Sequence, residues 1–420
     1  MPITRRIFVR NGALALVGTS ALPAFLSRAV LASDAVSDGL ARNKRLVVIF
    51  QRGAADGLNI VVPHAESSYY AMRPSISIPR KDVLDLDGFF GLHPSMEALL
   101  PLWQQKHLAI VHAAGSTDTT RSHFDAQDYM ESGTPGLKAT QDGWLNRALH
   151  ELPQPDTAGT QAAFRAIAMG PTLPRILSGP EPAVAVNHIN DFGIGGRNSK
   201  ATPAANTFEA MYEHSVDAVL HGAGQETFDA VKMLKSADPA KYKSAPGANY
   251  PQGRFGDSLQ QLAQLIKSNL GVQVAFSDIG GWDHHVNEGS TQGQLANILR
   301  EFSQSLFAFW IDLGSLAEET VVITMSEFGR TARENGNRGT DHGHANSMFV
   351  MGGPVQGGKV YGRWPGLDAA QLYEGRDLAV TTDFRRVLSE AVYRHLGNHN
   401  LEQVFPGFQN SPEEFLKFLG

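Results

Sequence analysis

Apolar and polar positions divide this chain into two repeating kinds of stretch. Near-continuous apolar, β-branched runs stand at residues 45–50, 108–112, 272–276 and 321–323, and another apolar run at 349–351. Runs of that kind predict strands buried on both faces, as in a parallel sheet. Residues 94–105, 258–269, 294–313 and 382–395 repeat apolar positions at helical spacing, the last behind Thr382 and Asp383 as caps. Strand and helix in turn predict a doubly wound α/β sheet. Between 143 and 196 the pattern is weaker, with apolar runs only at 164–169 and 183–186.

Residues 204–235 change to a helical period (Phe208, Met211, Tyr212, Val216, Val219, Leu220, Phe228, Val231, Leu234), which predicts a helical insertion or cap within 204–256. Its His214 and His221 read as surface residues. Residues 355–364 predict a glycine-rich hairpin, and Phe405-Pro406-Gly407 opens a tail expected to be exposed. The first 32 residues read as an address. Thr4-Arg5-Arg6-Ile7-Phe8-Val9-Arg10 fits a twin-arginine pattern, a short apolar stretch follows, and Val30-Leu31-Ala32 is a small-residue exit. The mature chain is then expected from about residue 45 to 420, exported to the periplasm or beyond, with no stable membrane span after cleavage.

Composition narrows the chemistry. With 420 residues, 42% hydrophobic and 19% charged, the chain can bury a large core. A formal net charge of -6 offers no basic field for a nucleic-acid backbone. There are no cysteines, which leaves His, Asp and Glu as the strong metal ligands.

Those residue types collect where the strands end, the place where open α/β sheets bind ligands. The first strand exits through Arg52-Gly53-Ala54-Ala55-Asp56-Gly57, where Asp56 is either a metal ligand or a turn residue. The second leads to Thr120-Arg121-Ser122-His123 at the start of a helix. Ser122 there is either a nucleophile favoured by the helix dipole or an ordinary N-cap, with Arg121 and His123 as catalytic companions. The third leads to Asp278 and then Asp283-His284-His285, in which Asp283 and His285 can face one ion. The fourth ends at Glu327, followed by Arg330, Arg333 and Asp341-His342-Gly343-His344. Arg52 and Arg330 are candidates to hold a substrate oxyanion, although Arg beside Glu is also an ordinary ion pair.

Taken together, Arg52 to Asn59, Arg121 to Asp128, Gly280 to His285, Ser326 to Thr331, Asp341 to His344 and Thr381 to Arg385 resemble an uncharacterised bacterial family. Its members are twin-arginine-exported, sulfatase-like proteins of the alkaline-phosphatase superfamily. The resemblance covers nearly the whole chain and implies a three-layer α/β/α sandwich with a mostly parallel central sheet. It also implies a site of one or two divalent ions (zinc, manganese or calcium) that clamps a phosphate or sulfate ester. Carried over, Asp56, Asp283, His285, Glu327, Asp341, His342 and His344 would be ligands and Ser122 the nucleophile. Two departures stand out. The fourth strand ends in Glu327-Phe328-Gly329, where the superfamily has Asp-His-Gly, and no sulfatase signature surrounds Ser122. The expected function is an exported metal-dependent hydrolase of small-molecule or glycan esters, with Ser122 or a metal-bound water attacking. The alternative is an inactive, metal-stabilised binding or assembly protein of the cell envelope.

Overall fold

Eight consecutive residues of Arg45–Arg52 form the central strand β1, and successive side chains leave it on opposite faces. Val47 and Ile49 enter one apolar core and Leu46, Val48 and Phe50 the other, so one strand seeds both layers. The computed structural model describes residues 44–153, 164–189 and 242–420, together with the backbone of Arg6–Arg10 and Ala13–Val17. The other main strands of its sheet are β2 (Leu108–Gly115), β3 (Ala166–Met169), β4 (Val184–Val186), β5 (Val274–Gly280), β6 (Thr320–Met325), β7 (Asn346–Gly352) and β8 (Lys359–Tyr361).

These strands lie in the order β8-β2-β7-β6-β1-β5-β3-β4, and the backbone hairpin of Arg6–Arg10 and Ala13–Val17 continues the β4 edge. β1 is paired in parallel by β5 and β6. The helices α2 (Arg254–Lys267) and α3 (Gln294–Leu313) cover one face, with Phe255, Leu259, Leu299 and Phe302 turned onto it. The other face is covered by Trp144–Ala148 and by Phe384–Glu390, through Trp144, Leu145, Phe384 and Leu388. The result is the expected three-layer α/β/α sandwich.

Strand direction at β7 is left open by the sequence and fits a mostly parallel sheet. β7 runs antiparallel to both β6 and β2, which its apolar run could not show because either direction buries both faces. Several expectations are corrected. Residues 355–364 form no hairpin: Lys359–Tyr361 instead adds to β2 as a parallel edge strand. The tail is not exposed, since Phe405, Phe415, Phe418 and Leu419 are buried in the second core. β5 starts two residues later than expected and carries Asp278 within it. The cap of the helix Phe384–Glu390 is Asp383 alone, whose carboxylate accepts from the Arg385 amide. Of the expected insertion, residues 204–241 lie outside the described residues, as does most of the expected leader.

The strand ends bring four loops together. Gly53 has φ +119, and a Cβ there would stand 2.9 Å from the Asp283 nitrogen, so only glycine lets the β1 and β5 exits touch. Likewise a Cβ on Gly343 would stand 2.3 Å from the Arg330 carbonyl carbon. The two ends of the long loop after β6 close on each other because that position has no side chain.

Candidate metal centre

The helix α1, His123–Ser132, begins where the loop after β2 reaches the strand ends, and its first residue points an imidazole into the gap. His123 Nε2 lies 3.0 Å from His342 Nε2. His285 Nε2 lies 3.0 Å from the same His342 nitrogen and 3.0 Å from Asp283 Oδ1. Asp283 completes the group, with Oδ1 3.3 Å from His342 Nε2 and Oδ2 3.6 Å from His123 Nε2. Ligand atoms of His123, Asp283 and His342 all lie within 4.8 Å of one another.

Donor accounting shows what the gap needs. A carbonyl oxygen only accepts, so His342 Nδ1, 2.9 Å from the Arg121 carbonyl, carries the proton, and the Nε2 lone pair faces the cluster. His123 Nδ1 lies 2.7 Å from Glu327 Oε1, which fixes its tautomer in the same way. Two lone pairs 3.0 Å apart repel unless a proton or a cation sits between them. Tetrahedral zinc with bonds of 2.0–2.1 Å separates its ligand nitrogens by roughly 3.3 Å, close to what is observed. Three imidazoles and one carboxylate, with no sulfur, suit zinc or manganese better than magnesium.

The supports of these rings are as ordered as the rings. Glu327 is buried, and Oε1 accepts from His123 Nδ1, Gly53 N at 2.9 Å and Gln127 Nε2 at 2.9 Å. Burial works to raise this carboxyl, but the hydrogen bonds from His123, Gln127 and Gly53 hold it below its ordinary value, so it is ionised. The hydrogen bond to Glu327 in turn raises His123, whereas burial lowers His342. Asp341 accepts from His285 Nδ1 at 3.2 Å and from Asn335 Nδ2 at 3.1 Å. Each of the three imidazoles therefore spends its Nδ1 on an oxygen outside the cluster, the arrangement that orients histidine ligands. Asp283 is half-exposed, with Arg330 Nη2 2.5 Å from Oδ1. Burial tends to raise its carboxyl, and the Arg330 guanidinium outweighs this and lowers it.

The structure thus gathers His123, Asp283, His285 and His342, and seats Glu327 and Asp341 behind them as orienting carboxylates. Asp56 is elsewhere. It is buried and gripped by Arg73 through Nη1 at 2.5 Å and Nη2 at 2.9 Å. His344 turns away, with Nε2 3.1 Å from the Ser116 carbonyl and its ring against Tyr373. Asp278 faces Arg52 and Arg254 instead of the cluster.

Ser122 is the N-cap residue of α1, but its hydroxyl makes no capping hydrogen bond. Arg52 is engaged by Asp278, Gln127 and Glu131, and Arg121 by Glu374 and Asp377. Arg330 is buried and also donates to the carbonyls of Gly53, Ala54 and Trp282. Sequence reading missed Gln127 and Arg73. Gln127 follows His123 by four residues, one helical turn along the same face, and that spacing was its available signal. No spacing signals Arg73, which lies in a loop without a motif.

A family model described as "Protein of unknown function (DUF1501)" matches residues 43–404. No curated protein matches the chain. Among solved structures it is similar to the C-terminal periplasmic domain of EcEptC from Escherichia coli in complex with Zn, at 9% identity and TM-score 0.36, over 75% of this chain and 74% of that one. It is also similar to the PsFucS1 sulfatase from Pseudoalteromonas sp., at 13% identity and TM-score 0.34, over 81% of this chain and 68% of that one. A third is the phosphonate monoester hydrolase of Agrobacterium radiobacter, at 10% identity and TM-score 0.35, over 89% and 78%.

Proposed function

The chain belongs to the DUF1501 family of proteins of unknown function, and from that premise we propose that it is a metal-dependent hydrolase of phosphate or sulfate esters. The observation that carries this reading is the convergence of His123, His285, His342 and Asp283 with three imidazole Nε2 lone pairs aimed at one point. A divalent ion held there supplies Lewis acidity toward an ester oxygen. Glu327 keeps the proton on His123 Nδ1, and Arg330 keeps the Asp283 carboxylate ionised and in place. The hydroxyl of Ser122, one residue before His123 and free of a capping bond, is the proposed nucleophile, with a metal-bound water as the other route. Export through the twin-arginine leader belongs to the same proposal. Among the described residues, no helix is long and apolar enough to cross a membrane.

A second reading, a binding or assembly protein without turnover, is favoured by one observation. Arg52 and Arg330, the guanidinium groups expected to hold an oxyanion, are already engaged by carboxylates, as is Arg121. The test is turnover of aryl phosphate mono- and diesters and aryl sulfates by zinc- or manganese-loaded protein. Wild type is compared with Asp283→Ala and His342→Ala. Loss of activity in both variants, with far-UV circular dichroism unchanged, supports the hydrolase. Retained activity in both sinks it, and metal binding without turnover of any ester moves the binding reading forward.

A further inference from the structure

Beside the centre lies a second group of buried charges, of which only Asp56 was announced by a loop motif. The β1 exit that reaches the centre through Gly53 and Ala54 continues to Asp56, whose carboxylate is fully enclosed. Arg73, itself fully buried, grips both Asp56 oxygens. Two further Arg73 donors are engaged as well, Nε by the Ala332 carbonyl at 2.9 Å and Nη2 by the Thr331 carbonyl at 2.9 Å. Glu288 packs into the same pocket, hydrogen-bonded to Asp56 and held by Asn59 Nδ2 at 3.0 Å and Thr340 Oγ1 at 3.0 Å. Asn59 is held in turn by the Tyr69 hydroxyl at 2.7 Å.

The Asp56 carboxylate is already paired in this pocket by Arg73. Burial, and then the Asp56 charge, push the Glu288 carboxyl well up. Asp56 also feels the charge of Arg330, whose guanidinium touches Asp283 on the centre side. Fixed guanidinium groups therefore occupy the positions beside both aspartates. A divalent ion on Asp56 would have to expel a fully buried arginine with all of its hydrogen bonds, leaving that cation unpaired in the interior.

We infer that the centre takes a single ion, and that Arg73 permanently holds the place beside Asp56 that a second ion would need. The inference rests on the metal-site reading above. It gives Asp56 a structural charge partner in place of a ligand role, and makes Arg73 a positioning residue that fixes the β1 exit loop under the centre. A one-ion centre clamps one ester oxygen and leaves the opposite one to protein groups, which a two-ion clamp does not.

Metal stoichiometry tests this directly. Metal-free protein is loaded with excess zinc, freed of unbound ion and analysed for zinc per chain, and a cadmium-loaded sample is examined by cadmium NMR. The expected result is one ion and one resonance, with the ion lost in Asp283→Asn and retained in Asp56→Asn or, should that variant fail to fold, in Glu288→Gln. Two ions in wild type, falling to one in either pocket variant, overturn the inference while leaving the hydrolase reading intact. No ion in wild type ends the metal-site reading and the inference with it.

Discussion

Glu327 Oε1 stands 2.7 Å from His123 Nδ1, on the side of the ring away from the cluster. The carboxylate closing β6 therefore acts on the centre through a histidine delivered by a different strand end. It is braced by Arg52, which holds Gln127 Oε1 at 2.8 Å while Gln127 Nε2 donates to Glu327. Glu327→Gln removes the charge that fixes the His123 tautomer. The expected outcome is zinc affinity about 10–100-fold lower with a near-native fold, measured by competition with a chromophoric chelator. Unchanged affinity would mean that His123 is oriented by something else.

Ser122 separates the two chemical routes. If its hydroxyl attacks, Ser122→Ala lowers kcat by at least about a thousandfold while zinc content stays at the wild-type level. Activity within a few-fold of wild type would assign the attack to water. The hydroxyl would then be no more than the start of a helix.

Acid stability has a separate origin in buried histidines far from the cluster. His112 is buried, with Nε2 3.1 Å from the Val61 carbonyl and Nδ1 accepting from the Ala113 amide at 2.8 Å. Both nitrogens are used in the neutral form, and burial lowers this histidine to about 4. His395, against the Arg45 carbonyl, is likewise lowered by burial to about 4. A group depressed in the folded state contributes stability that is present above its unfolded value, near 6.5, and is lost as pH falls toward 4. Each contributes at most about 3 kcal/mol over that window. Urea unfolding of metal-free protein is expected to weaken steadily from pH 6.5 to 4. A shallower slope is expected in His112→Gln, and an identical slope would contradict this assignment.

The tail makes a stability prediction of its own. Glu390 accepts from the Lys417 and Leu419 amides at 2.9 Å each, pinning Phe418 into the second core. Phe418→Ala should cost about 3–5 kcal/mol in chemical denaturation, the usual range for a fully buried phenylalanine. A change under about 1 kcal/mol would show that the tail is dispensable.

Much of the architecture was legible because a strand buried on both faces writes itself as a continuous apolar run. The runs at 45–50, 108–112 and 321–323 each lie inside an observed strand, and Gln294–Leu313 matches its helix end to end. Strand direction left no such mark, as β7 shows. The loops announced which residues gather at the strand ends, but not their layering. Asp56, Glu327 and Asp341 carry the same side-chain chemistry as a ligand, and only their surroundings distinguish the Arg73-bound one from those behind histidines. His123 was legible as site chemistry, but its partnership with His342, 219 residues away, depends on strand order.

The central claim is a metal centre at His123, Asp283, His285 and His342. It is tested most directly by X-ray absorption and anomalous diffraction on zinc-loaded crystals. The account predicts an anomalous peak between these four side chains, with about three imidazole nitrogens at 2.0–2.1 Å and one carboxylate oxygen in the absorption spectrum. A peak at Asp56 or His344, or no bound zinc at the four-residue cluster, would contradict it.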